Sequence, residues 1–112
     1  MNSLLPIFMK LENQPCLVVG GGKIAHQKIR QLLESKANVT VKALDISEKI
    51  QSLSVTIQKS AYRKNDVKGY KLVIAATNDE NINRKVYEDS QKNGIPVNVV
   101  DQPELCTFYM GS

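Results

Sequence analysis

The sequence contains few of the residues on which several classes of function depend. It has no tryptophan, only 5% aromatic residues, one histidine and two cysteines. So few aromatic side chains leave little on which nucleobases could stack, and we expect no nucleic-acid partner. The lone His26 falls on the polar side of a predicted helix, so no Ser/His/Asp or Cys/His catalytic set is available. Cys16 and Cys106 stand far apart, and their spacing predicts no metal site.

Long apolar runs and blocks of one charge are also missing. The apolar segments are all too short to span a bilayer, and no secretory or lipidation signal is visible. The net charge is +4, but the 15 basic residues are scattered and form no basic run. We therefore expect a cytoplasmic protein with no membrane partner, whose mildly basic balance would suit an anionic ligand.

What the sequence does contain is an alternation of short apolar segments with helical patterns, typical of parallel βαβ units. Residues 16–19, 39–44, 55–58, 71–75 and 97–100 are predicted strands, and helices are predicted over 23–35 and from about 78. Residues 5–9 could form a short opening strand, and 107–110 could begin a sixth. We expect one α/β domain over residues 1–112, with a Rossmann-like doubly wound parallel sheet of about five strands and flanking helices.

The junction between the first strand and the first helix carries the pattern Gly20-x-Gly22-x-x-Ala25. Gly20 would permit the sharp turn, Gly22 would leave room for a pyrophosphate, and Ala25 would let the helix pack closely on the strand. The N–H groups and the positive dipole end of that helix would then face the anion. The pattern predicts dinucleotide binding.

Three more polar groups fall at the carboxyl ends of predicted strands, where open parallel sheets bind their ligands. Thr77 follows strand four, and Asp101 follows strand five, where it could act as a general base, hold a cation, or simply form a turn. Asn98 could contact the nicotinamide end or pack within the sheet. Asp45 lies just beyond strand two, where it could bond the adenosine ribose and favour NAD, or cap a short helix. The nearby Lys42 makes that NAD preference a moderate one.

Five segments of the chain, taken in order, form a more specific set than the glycine motif alone. They are Leu-Pro-Ile-Phe at 5–8, Leu-Val-Val-Gly-Gly-Gly-Lys-Ile-Ala at 17–25, Ile-Ala-Ala-Thr-Asn-Asp at 74–79, Val-Asn-Val-Val-Asp at 97–101, and Pro-Glu-Leu-Cys-Thr-Phe at 103–108. With these segments the chain resembles the precorrin-2 dehydrogenase module of siroheme synthases over nearly its whole length.

This resemblance implies an enzyme that uses NAD to oxidise precorrin-2 to sirohydrochlorin, and that in many members also inserts Fe²⁺ as a ferrochelatase. By position, Asp101 matches the family's essential aspartate, and the residues that match its NAD contacts are Lys23, Ile24, Leu44 and Asp45. The family continues into segments that build a homodimer and the tetrapyrrole cleft, and we expect this chain to lack them. The alternative is a nucleotide-sensing Rossmann module without catalysis, of the kind attached to potassium transporters.

Overall fold

The computed structural model describes residues 3–111, and its two central strands form where the sequence is apolar without alternation. Parallel strands with helices on both sides bury both faces, which is why such runs are continuously apolar. The strands are β1 (Pro15–Val19), β2 (Asn38–Lys42), β3 (Thr56–Gln58), β4 (Leu72–Ala75) and β5 (Val97–Val99). All pairings are parallel, and the order in the sheet is β3-β2-β1-β4-β5. This order confirms the predicted doubly wound fold, with its reversal between β1 and β4.

The helices cover the two faces of the sheet with their apolar sides. They are α1 (Lys23–Glu34), the short α2 (Glu48–Gln51) and α3 (Glu80–Lys92). Ala25, Ile29 and Leu32 of α1 join one core cluster with Val18 of β1. Val86 of α3 belongs to the other cluster, on the opposite face of the sheet. No helix within residues 3–111 combines the length and the apolar character needed to cross a membrane.

Cysteine 16 is one of the fully buried residues of the sheet centre. Its neighbours in register are Val39 of β2 and Leu72 of β4. Burial raises the pKa of its thiol to about 11, because a thiolate there would be poorly solvated. The side chain is therefore a small neutral hydrophobe at physiological pH, as the sequence predicted.

Two predicted strands are not present. Residues 5–9 have no strand partner, and Leu5 and Phe8 are exposed. Residues 107–110 run beside β5 but form no strand: one main-chain bond, from the Thr107 N–H to the Val97 carbonyl at 2.8 Å, is accompanied by bonds to side chains. The Val97 N–H donates to Thr107 Oγ1 at 2.9 Å, and the Val99 N–H donates to Cys106 Sγ at 3.2 Å. A 3-10 turn over Pro103–Leu105 brings these side chains back to the edge strand.

The first turn of α3 depends on a side-chain cap, which can be tested by substitution. The Asp79 carboxylate caps the helix by accepting from the N–H groups of Asn81 at 2.9 Å and Ile82 at 3.3 Å. We expect Asp79→Ala to lower the free energy of unfolding by about 1 kcal/mol in chemical denaturation, since two N–H groups lose their acceptor. Asp79→Ser is the matched control and should retain most of the stability. An alanine variant as stable as the parent would contradict the capping role.

Candidate functional site

The carboxyl ends of the strands open onto one cleft of about 880 Å³. It lies across the reversal of strand order between β1 and β4, where doubly wound folds bind ligands. Of the nine residues that the sequence predicted for the site, eight line this cleft: Gly20, Gly22, Lys23, Ile24, Leu44, Asp45, Thr77 and Asp101. The topology therefore brings together residues that are as far as 81 positions apart in the chain (101 − 20 = 81).

The three consecutive glycines have three different reasons to lack a side chain. Gly20 has a φ of +140°, and a Cβ there would lie 2.4 Å from the Ala76 carbonyl oxygen. A Cβ on Gly21 would lie 2.0 Å from the carbonyl oxygen of Asp45. At Gly22 the position of a Cβ has no heavy atom within 4 Å and opens to the cleft. Sequence reasoning assigned roles to Gly20 and Gly22 but missed Gly21, although a third glycine beyond the motif's two was a visible signal.

The N-terminus of α1 faces the cleft without a protein acceptor from the described side chains. Gly22 is its N-cap residue, no side chain caps it, and its first turn contains no acidic residue. The first N–H groups of a helix have no partner inside the helix and carry a partial positive charge. An uncapped helix start next to an open glycine is a fitting site for a phosphate group.

Asp45 lies against the glycine turn but does not cap a helix. The Ser47 N–H donates to the Gly21 carbonyl at 2.9 Å, which ties the loop after β2 to the turn after β1. Ser47 itself caps α2, accepting from the Ile50 N–H at 3.4 Å. The capping alternative for Asp45 is therefore wrong. Its exposed side chain at the cleft is available to a ligand.

Two apolar side chains remain exposed at the mouth of the cleft. Ile24 follows the glycine turn and is 40% exposed, and Leu44 follows β2 and is 63% exposed. Both line the cleft. Apolar side chains converging with a few polar groups are typical of small-molecule sites, where the ligand covers them.

Asn83 shapes the β4 side of the cleft, although sequence reasoning did not select it. It lies on α3, is 4% exposed, and donates to the Thr77 carbonyl at 3.1 Å. Its Oδ1 accepts from the Thr77 N–H at 3.2 Å and lies 2.7 Å from Thr77 Oγ1. Thr77 thus lines the cleft with its polar groups already bonded inside the protein. The position of Asn83 three residues before Val86, on the buried face of α3, was the signal that could have found this link.

Tyr62 is a second residue that lines the cleft although sequence reasoning did not select it. It begins the charged segment Tyr-Arg-Lys-Asn-Asp at 62–66, yet it lines the cleft. Its hydroxyl donates to Asp89 Oδ2 at 2.5 Å, and the same oxygen accepts from the Asn65 N–H at 3.1 Å. Burial, followed by the bond to Asp89, raises the pKa of Tyr62, so the hydroxyl stays protonated. The buried Asp89 thereby anchors the loop after β3 to α3.

Asp101 lies in a turn and also lines the cleft. It lies in a turn, since the Gln102 N–H donates to the Val99 carbonyl at 3.2 Å and Asp101 itself has a φ of +63°. Aspartate tolerates this left-handed conformation better than most residues. The turn leaves the side chain exposed at the cleft, on the side away from β2.

Asn98 is the predicted cofactor residue that the structure does not bring to the cleft. It is buried in β5, and its amide donates to the Phe108 carbonyl at 3.0 Å. It lines a separate hollow of about 280 Å³, which it shares with Asp101, Lys28 and Cys106. Burial is the main factor that raises the pKa of Cys106. Within residues 3–111 no three His, Cys, Asp or Glu residues are grouped as a metal site would require.

The sheet order, the glycine turn, the uncapped helix start and the acidic residue after β2 define a dinucleotide-binding domain of the Rossmann type. Comparison with known families agrees. Residues 7–112 match the family described as "Putative NAD(P)-binding". The chain therefore belongs to this family, and its cofactor is NAD(P).

Individual relatives are more specific than the family. The chain is 42% identical over 112 residues to a siroheme synthase of Vesicomyosocius okutanii and 46% identical over 113 residues to one of Nitrosomonas europaea. Each match covers 96% of this chain and 24% of the relative. The solved structure of SirC, a precorrin-2 dehydrogenase, superimposes with a TM-score of 0.78 at 26% identity, covering 97% of this chain and 53% of that one. These matches confirm the resemblance to siroheme synthases.

The glycine turn yields a prediction that separates ligand binding from folding. We expect Gly22→Ala to leave the free energy of unfolding nearly unchanged, because its Cβ would meet no protein atom. The same methyl group would occupy the space proposed for phosphate, so the Kd for NAD⁺ should rise at least about tenfold in calorimetric titration. Gly20→Ala should instead destabilise the fold by more than about 2 kcal/mol.

Gly111→Ala is the matched control for this series. Its Cβ would also meet no heavy atom within 4 Å, and Gly111 does not line the cleft. Both stability and NAD⁺ affinity should stay at the parent values. If Gly22→Ala bound NAD⁺ as tightly as Gly111→Ala, the phosphate would not lie at Gly22.

Proposed function

We propose that this chain is the dehydrogenase part of a siroheme-forming enzyme, which oxidises precorrin-2 to sirohydrochlorin with NAD⁺. The observation that carries the proposal is that the glycine turn and Asp101 line the same cleft. Its support is the set of relatives, which are siroheme synthases and a precorrin-2 dehydrogenase. The chain spans about a quarter of the siroheme synthases that it matches, so substrate and reaction are proposals for the complete protein.

The residues along the cleft fit an extended dinucleotide. The pyrophosphate would lie at Gly22 and the first N–H groups of α1, with Lys23 beside it. Asp45 would accept hydrogen bonds from the adenosine ribose, and Ile24 and Leu44 would pack against the adenosine. The nicotinamide would then point towards Thr77 and Asp101, on the far side of the strand reversal.

Oxidation of precorrin-2 removes two electrons and two hydrogens from the tetrapyrrole. NAD⁺, when bound, would accept one hydrogen with both electrons as a hydride. The other hydrogen leaves as a proton, and Asp101 is the carboxylate in the cleft on the nicotinamide side that can accept it. The tetrapyrrole carries several carboxylates, which the net charge of +4 would attract.

Iron insertion is a second proposal for the same site. Inserting Fe²⁺ into sirohydrochlorin displaces two pyrrole protons, and Asp101 would accept protons from the tetrapyrrole in either reaction. The resemblance also carries the proposals that the complete protein is a cytoplasmic homodimer and that it requires neither nucleic acid nor a membrane.

Replacement of Asp101 by asparagine tests the catalytic role. Asparagine also tolerates a φ of +63°, whereas alanine would be strained there. In the complete enzyme we expect Asp101→Asn to keep the Kd for NAD⁺ within about twofold and to lower sirohydrochlorin formation by at least about 100-fold. Absorbance spectroscopy with precorrin-2 measures the rate, and the same variant with sirohydrochlorin and Fe²⁺ measures chelation.

The alternative function, a nucleotide-sensing module, predicts different results. A sensor would bind NAD(H) at the glycine turn and need no carboxylate after β5. It would produce no absorbance change with precorrin-2 and would assemble with a membrane partner in a nucleotide-dependent way. Parent-level activity of Asp101→Asn in the complete enzyme would contradict the proposed base, whereas no activity of the parent enzyme would favour the sensor.

A further inference from the structure

Lys42 is a buried lysine at the carboxyl end of β2. It is the last residue of the strand, is 8% exposed, and lines the cleft three positions before Asp45. Its neighbour Val41 faces the core cluster beneath α1, and because side chains alternate along a strand, Lys42 points to the other face of the sheet. A lysine is rarely buried unless its charge is paired.

The ammonium group of Lys42 is held by three acceptors, one on the last residue of β3 and two in the loop that follows it. Its Nζ lies 3.4 Å from Asp66 Oδ2 in an ion pair, 2.9 Å from Ser60 Oγ and 3.4 Å from Gln58 Oε1. An ammonium group has three hydrogens to donate. These acceptors can therefore engage all three donors of Lys42, and the Asp66 carboxylate neutralises its charge.

Asp66 is itself fixed by the loop that contains it. Its Oδ2 accepts from the Arg63 N–H at 2.7 Å, within the loop between β3 and β4. The same loop is anchored to α3 through Tyr62 and Asp89, at 2.5 Å. The carboxylate that pairs with Lys42 is thus held in place, and the ammonium group has a defined position beside Gln58 and Ser60.

The end of β2 is where doubly wound folds distinguish NAD from NADP. An acidic residue favours the free ribose hydroxyl of NAD, and a cation accommodates the 2′-phosphate of NADP. This chain carries both at that strand end, Asp45 and Lys42. The two would oppose each other unless one of them were neutralised.

From this geometry we propose that Asp66 is a specificity-determining positioning residue, which holds Lys42 away from the nucleotide and thereby selects NAD⁺ over NADP⁺. The inference rests on the proposed binding of the dinucleotide in this cleft. Asp66 itself touches no ligand and acts through Lys42. Without the Asp66 charge, Lys42 would be an unneutralised cation at the edge of the adenosine ribose site.

The test is a pair of substitutions measured by calorimetric titration with NAD⁺ and NADP⁺. Asp66→Asn removes the charge but keeps an oxygen that can accept from the Arg63 N–H. We expect its Kd for NADP⁺ to fall at least about tenfold, with the Kd for NAD⁺ within about twofold of the parent. The gain should shrink as the salt concentration is raised from about 0.05 M to about 0.5 M, because screening weakens a charge interaction but not a packing effect.

Lys42→Met is the second substitution of the pair. In the parent it would leave the Asp66 carboxylate without its cation, so the comparison is made with the Asp66→Asn variant, in which no carboxylate is left unpaired. In the Asp66→Asn background it should abolish the gain in NADP⁺ affinity. Glu12→Gln is the matched charge control, since Glu12 is exposed at the amino ends of the strands and does not line the cleft. It should leave both affinities unchanged.

Each failure has a distinct meaning. If the parent bound neither nucleotide, the proposed cofactor site would be wrong. If the parent bound NAD⁺ and Asp66→Asn left the affinity ratio unchanged, the role of Asp66 would be wrong while the site stood. If the double variant Asp66→Asn/Lys42→Met kept the gain in NADP⁺ affinity, the gain would not come from the Lys42 charge, and the proposed role of the ion pair would be refuted.

Discussion

The close approach of three backbone segments at Gly20 and Gly21 is the constraint on which the cleft depends. A methyl group at Gly20 would collide with the carbonyl after β4, and one at Gly21 with the carbonyl of Asp45 after β2. The Ser47 N–H bond to the Gly21 carbonyl closes the second of these contacts. Because the strand ends are this close, the residues that follow β1, β2 and β4 surround one space. At Gly22, by contrast, a Cβ would meet no protein atom. The three consecutive glycines therefore let the strand ends approach one another and also leave space for a ligand.

The remaining walls are positioned by buried polar side chains on α3. Asn83 bonds the main chain of Thr77 after β4, and Asp89 bonds Tyr62 after β3. A buried polar group is costly unless it is hydrogen-bonded, so each of these contacts specifies one loop conformation. The helix that covers one face of the sheet therefore also fixes two of the loops at its edge. The Asp66–Lys42 ion pair extends the same principle to the end of β2.

Different strand ends contribute different chemical groups to the cleft, so its two ends are not equivalent. The uncapped start of α1 offers N–H groups near β1, and carboxylates stand at opposite ends, Asp45 after β2 and Asp101 after β5. A dinucleotide bound as proposed, with its adenosine towards β2 and its nicotinamide towards β5, would span the reversal of strand order. The proposed proton acceptor then lies at the nicotinamide end, and the residues that would select the cofactor lie at the adenosine end.

Much of this could be predicted from local sequence, because strand and helix periodicity, the glycine spacing and the positions of residues after strands are properties of neighbouring residues. These patterns gave the parallel fold and eight residues of the cleft. Contacts between distant segments could not be predicted in the same way: the pairing of Lys42 with Asp66, the bonds of Asn83 and Asp89, and the burial of Asn98 against Phe108. The sequence by itself determined where the glycine turn lies and which strand ends carry charge. Only the tertiary structure decided which of those charges is neutralised and which faces the cleft, because that depends on how the loops pack across the sheet.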